Sequence, residues 1–110
     1  MITIDDFFKI DIRCGRIIEV LEFSEARKPA YKIRIDFGNE IGVKKSCAQL
    51  PANYQVDQLV GKLIAGVVNL PPRMIGPETS EVLVLGFPDE QGHAILVGPD
   101  KAVAIGGKLF

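Results

Sequence analysis

A lysine pair beside a serine, Lys44-Lys45-Ser46, and a proline-stiffened run, Asn69-Leu70-Pro71-Pro72-Arg73, carry the side chains best placed to do chemistry in this chain. Two consecutive prolines cannot donate backbone hydrogen bonds, and the proline after Leu70 pushes that residue out of the α region. The run reads as a stiff surface loop that presents Asn69 and Arg73. Binding groups concentrate on loops held by a rigid scaffold. Ser46, Gln49 and Ser80 add hydrogen-bonding groups, and Lys32 and Arg34 share a strand face that Lys44 or Lys45 approaches across a hairpin. Such a set meets phosphates or peptide carbonyls. Met74-Ile75, directly after Arg73, adds an apolar edge suited to hydrophobic segments. Only Tyr31 and Tyr54 interrupt the basic segment, which is thin for stacking bases.

No catalytic constellation emerges. The one histidine, His93, lies in Gln91-Gly92-His93, a turn, and nothing points it toward Cys14, Cys47, Ser24, Ser46 or Ser80. The acidic pairs Asp5-Asp6 and Asp89-Glu90 occupy a helix start and a turn, where acids cap or shape the backbone. No ligand set has the spacing of a zinc or magnesium site, and no cofactor is implied. Gly106-Gly107-Lys108 matches part of a phosphate loop, but it lacks the earlier glycine and the following helix. The expectation is a binding protein rather than an enzyme.

At 110 residues the chain fits one domain over 1–110, with 47% apolar and 25% charged residues as in ordinary globular proteins. The acidic start Met1-Ile2-Thr3-Ile4-Asp5-Asp6 is unlike a signal peptide, and no run approaches the ~18 apolar residues of a membrane span. A cytoplasmic protein with no membrane insertion and reduced Cys14 and Cys47 is expected. Charge is uneven: residues 1–26 and 74–110 each carry −3, and residues 27–73 carry +5. A local positive face follows from that distribution, although solvated strand faces give the same count.

These residues need elements to position them. Thr3 and Asp6 form a helix-start box before Phe7 and Phe8. A strand runs over 13–21, with Gly15 read as a bulge or a sharp curl. Residues 31–37 alternate apolar and charged strictly, and 41–48 return as a hairpin partner. A short helix or irregular connector near Tyr54 and Leu59 precedes an apolar strand at 63–68. A further strand at 82–85 follows the proline loop, and a hairpin turned at 89–92 returns through 94–97. Short strands, glycine bends and one helical break suit an all-β, five-stranded OB-fold barrel, with short helices at the N-terminus and between strands 3 and 4. An SH3-like barrel or open sandwich has similar patterning. The apolar tail at 102–105 and Leu109-Phe110 must pack on its own barrel or on a twin subunit.

The motifs Asp11-Ile12-Arg13-Cys14-Gly15-Arg16-Ile17, Glu25-Ala26-Arg27-Lys28-Pro29-Ala30-Tyr31-Lys32 and Gly42-Val43-Lys44-Lys45-Ser46-Cys47-Ala48-Gln49 are shared with a known family. So are Val68-Asn69-Leu70-Pro71-Pro72-Arg73 and Ser80-Glu81-Val82-Leu83-Val84-Leu85-Gly86. On these the chain resembles the CsaA family of export-related chaperones, a branch of the tRNA-binding-domain OB-folds. The resemblance implies a homodimer that binds unfolded or precursor polypeptides and serves export machinery. The wider superfamily binds tRNA, and the positions carried over are Lys45, Ser46, Asn69, Arg73 and Ser80. Here Val82-Leu83 and Met74-Ile75-Gly76-Pro77-Glu78 stand where tRNA-binding relatives have Gly-Met and a more basic loop. The expected ligand-binding set is Lys44, Lys45, Ser46, Asn69, Arg73, Met74, Ile75 and Ser80, with polypeptide favoured over tRNA.

Overall fold

Strict alternation over residues 31–37 demands a sheet with one dry face, and the structure, a computed structural model describing residues 1–110, supplies it. The elements are α1 (Ile4–Phe8), β1 (Ile12–Glu22), β2 (Tyr31–Asp36), α2 (Gly38–Ile41), β3 (Val43–Ala48), α3 (Val56–Leu59) and β4 (Leu63–Val67). They continue as β5 (Arg73–Ile75), β6 (Glu78–Ser80), β7 (Leu83–Val84), β8 (Gly86–Pro88) and β9 (Ala94–Leu96). Five strands form one antiparallel sheet in the order β3-β2-β1-β4-β7. The sheet curls until Glu81 N donates to Lys45 O at 2.8 Å, which brings the β6–β7 segment back to β3. This nearly closed barrel, with α3 between its third and fourth strands, is the OB-fold arrangement.

Tyr31, Ile33 and Ile35 of β2 point inward with Ile17, Val20, Leu50, Leu59, Ile64 and Val82 around Phe37, the largest fully buried side chain. β1 is long enough to serve two neighbours. Its second half pairs with β2 and its first half with β4. Gly15 makes this possible by close approach. A Cβ there would lie 2.6 Å from Ile35 Cγ2 and 2.7 Å from Phe37 Cε1. The bulge expected at Gly15 sits instead between Ile17 and Glu19. A glycine inside a strand signals either feature, and here it marks contact with the core.

The helix-start box forms as expected: Asp6 N donates to Thr3 Oγ1 at 3.2 Å, and Thr3 N donates to an Asp6 carboxylate oxygen at 3.0 Å. These bonds to the ionised carboxylate hold Asp6 below its usual pKa, the backbone bond from Thr3 first and the bond from Lys9 next. The C-terminal tail runs along the free edge of β1, with Gly106 N donating to Cys14 O at 2.7 Å and Leu109 N to Ile12 O at 2.8 Å. Its backbone is fastened, yet Val103, Leu109 and Phe110 remain exposed. Arg13 clamps this corner, donating to Asp11 at 2.6 Å and to Gly106 O at 3.0 Å.

Two expected elements change. The strand expected at 82–85 shrinks to β7, which pairs with β4, and β9 takes β8 as its partner. The segment expected as a loop through to Ser80 instead folds Arg73–Ile75 and Glu78–Ser80 into a hairpin. Its turn holds Gly76 at φ 58°, a left-handed conformation that glycine adopts without strain. Strands of three residues are too short to show a period.

Candidate ligand-binding groove

The proline run leads into β5, and Asn69 at its start turns its side chain to the N-terminal segment. Its Oδ1 accepts from Asp11 N at 2.9 Å and its Nδ2 donates to Lys9 O at 2.8 Å. Asn69 therefore ties the end of β4 to the start of β1, away from Arg73. Beyond it the β5–β6 hairpin leans over β3, with the Gly76 turn resting near Phe23 and Glu25 of the loop at 23–30. Lys32 adds a tie, reaching Glu78 at 3.4 Å while lying 5.7 Å over the Phe23 ring.

Ser46 and Ser80, read from sequence as ligand groups, are turned inward at 3% and 2% exposure. Their hydroxyl oxygens lie 3.4 Å apart. Ser46 Oγ donates to Val82 O at 3.1 Å, and Cys47 N donates to Ser80 Oγ at 3.1 Å. Small hydroxyl residues here let β3 and β6 approach while satisfying buried polar atoms. Both hydroxyls are engaged within the protein and brace the groove wall. The lysine pair is split by strand alternation. Lys45 stands opposite Arg34 on the outer face, and Lys44 lies opposite Ile35 on the core-facing side, half-buried at the strand's start.

Arg73 and Ile75 converge with Gln49 and with residues that sequence reasoning missed. They line a groove of about 280 Å³ with Gln49, Cys47, Leu50, Val84, Leu85 and Leu96. Most of its lining is apolar. β9 is held there by Leu96 N donating to Tyr54 Oη at 3.0 Å, while Tyr31 Oη donates to Tyr54 O at 2.9 Å. A second cavity of about 520 Å³ adjoins it, sharing Cys47, Gln49 and Ile75 and edged by Arg27 and Lys28. Met74 lies on the other face of β5, 68% exposed, with Thr79 Oγ1 donating to its sulfur at 3.3 Å. Arg27, Lys28, Lys45 and Arg73 form no ion pair. Of the nearby acids, Glu78 pairs with Lys32, while Glu81 accepts from the Lys45 amide at 2.9 Å and Glu25 from Ser24 at 3.1 Å and both keep their charge. The four unpaired cations outnumber these two acids, which leaves the rim net positive.

Burial, with Glu78 nearby, pushes the Cys47 thiol above its usual pKa despite Lys32, Lys45 and Arg73, so the thiol stays protonated. Burial raises Cys14 likewise. Both cysteines are free. No group of three or more His, Cys, Asp or Glu side chains is placed to hold a metal ion, and no helix is long and apolar enough to cross a membrane.

Residues 12–108 match the family model tRNA_bind, described as "Putative tRNA binding domain". The methionine–tRNA ligase of Pyrococcus abyssi is 34% identical over 108 residues, which cover 98% of this chain but 14% of the ligase. The chain therefore corresponds to a small part of those enzymes. The CsaA chaperone protein of Picrophilus torridus is 51% identical, with a TM-score of 0.93 and full coverage of both chains. The chaperone CsaA of Bacillus anthracis str. Ames is 41% identical, with the same TM-score, over 100% of this chain and 99% of that one. On this agreement of sequence, length and fold, the chain belongs to the CsaA family of tRNA-binding-domain OB-fold proteins.

Proposed function

We propose that this protein is a non-catalytic, cytoplasmic chaperone that holds unfolded or precursor polypeptides and delivers them to export machinery as a homodimer. The observation that carries this reading is the apolar-floored groove with a cationic rim between β3 and the β7–β9 segment. Unfolded chains expose apolar side chains and unpaired backbone, and a groove with an apolar floor accepts both. The chaperone relatives support it. Exposed Ile4 and Phe8 on α1, with Val103, Leu109 and Phe110 on the tail, provide an apolar face for the twin subunit. The test is suppression of aggregation of a chemically denatured substrate, followed by light scattering. Full aggregation at molar excess of the protein would sink the reading.

A second reading, a tRNA-binding module, is supported by the unpaired cations Arg27, Lys28, Lys45 and Arg73 and by the family match. Against it, Tyr31 and Phe23 are buried, Tyr54 is hydrogen-bonded within the barrel, and no aromatic lines the groove or the adjoining cavity on which a base can stack. Titration of tRNA at several salt concentrations, repeated with Lys45→Ala and Arg73→Ala, separates the readings. RNA binding predicts a log affinity falling steeply with log salt, with a shallower slope in each variant.

A further inference from the structure

The barrel does not close along its whole seam. Backbone groups in an antiparallel ladder alternate in direction, so Lys44, Ser46 and Ala48 of β3 bond to β2, while Lys45 and Cys47 turn outward and Gln49 follows just past the strand's end. Lys45 is satisfied by Glu81, whose amide donates to its carbonyl and whose carboxylate accepts from its amide. The Cys47 amide is satisfied by Ser80 Oγ. No backbone or side-chain bond reaches the Cys47 carbonyl or engages the Gln49 amide. One free acceptor and one free donor therefore lie on a strand edge beside the groove, where the apolar floor of Leu50, Val84, Leu85 and Leu96 begins. The adjoining cavity continues along this edge to Arg27 and Lys28.

We infer that this seam takes an extended polypeptide segment as an added strand on β3, selecting an apolar residue flanked by acidic ones. The backbone of the segment bonds to the Cys47 carbonyl and Gln49 amide, its apolar side chain enters the groove, and its carboxylates meet Arg73, Arg27 and Lys28. Main-chain bonds give such a site tolerance of many sequences, while the pocket and rim set the preference. Charge complementarity selects acid over base, because the four unpaired cations outnumber Glu25 and Glu81, the nearby acids without a cationic partner. The inference rests on the polypeptide-binding reading and adds to it a register and a ligand class.

The test is fluorescence anisotropy with a labelled peptide carrying a leucine pair between glutamate pairs. Two comparison peptides replace the glutamates by lysines or N-methylate the leucine amides. Each change is expected to weaken binding about tenfold, the first through charge and the second through lost strand pairing. The double variant Arg27→Glu, Lys28→Glu, in an exposed loop away from the core, is expected to reverse the charge preference. Equal binding of the methylated peptide, or of the lysine peptide, overturns the inference. So does displacement of the peptide by tRNA with a steep salt dependence abolished in the double variant, which would assign the rim to RNA. Aggregation suppression on the same preparation separates the two levels. Suppression with indifferent peptides removes the strand-addition mode alone, whereas no suppression removes the polypeptide reading beneath it.

Discussion

On one side of the barrel β2, β1 and β4 are joined by continuous ladders, while on the other β3 meets the β6–β7 segment through one backbone bond, the Glu81 carboxylate and a pair of serines. The sealed side is built around Phe37, with Gly15 and Gly66 pared to bare backbone so that the ring fits. The open side keeps an apolar groove, a free strand edge and an uncompensated positive rim. On the proposed reading, folding stability and ligand contact fall to different walls of a small barrel.

Substitutions that attack one wall and spare the other test this division. Phe37→Ala removes the ring at the centre of the sealed side and should destabilise by about 3–5 kcal/mol, read as a lower urea midpoint. A loss under about 1 kcal/mol would mean that the core does not depend on this wall. Ser80→Ala strikes the junction of the two walls, orphaning the Cys47 amide while Ser46 keeps its bond to Val82 O, and should cost about 1–3 kcal/mol. It should also loosen the β5–β6 hairpin, seen as faster amide hydrogen exchange there than in β2.

The Asp11–Arg13 pair belongs to the sealed side, and its pH dependence has a defined sign. The hydrogen bond from Arg13 holds the Asp11 carboxyl below its usual pKa, against a smaller opposing effect of burial. A carboxylate whose folded pKa is depressed contributes its stability above the unfolded pKa and loses it as pH falls through the folded one. Wild type should therefore lose more stability than Asp11→Asn between neutral pH and about pH 3. At neutral pH Asp11→Asn should cost about 1–2 kcal/mol. Identical acid limbs in the two proteins would refute the assignment. Arg73→Ala, on the open rim, should change stability by less than about 0.5 kcal/mol while weakening ligand binding.

The sealed side was legible in the sequence because period-2 alternation at Tyr31, Ile33 and Ile35 and the Thr3–Asp6 cap are local signals. The open side was legible only in part. Arg73 and Ile75 announced themselves beside the proline run, but Leu85 and Leu96 reach the same groove from elements whose pairing is set by tertiary structure. Ser46 and Ser80 look like ligand groups to any reading of residue type. Only their mutual approach across 34 positions shows that each satisfies the other's strand. Asn69 misleads for a similar reason, since its partners lie 58 and 60 residues away.

The division between walls is tested most directly by backbone amide chemical-shift mapping of the protein titrated with a permanently unfolded polypeptide. The account predicts shifts concentrated at Cys47, Gln49, Arg73, Ile75 and Leu96, with β1, β2 and β4 unmoved. Shifts confined to α1 and the C-terminal tail, or spread evenly over the barrel, would contradict it.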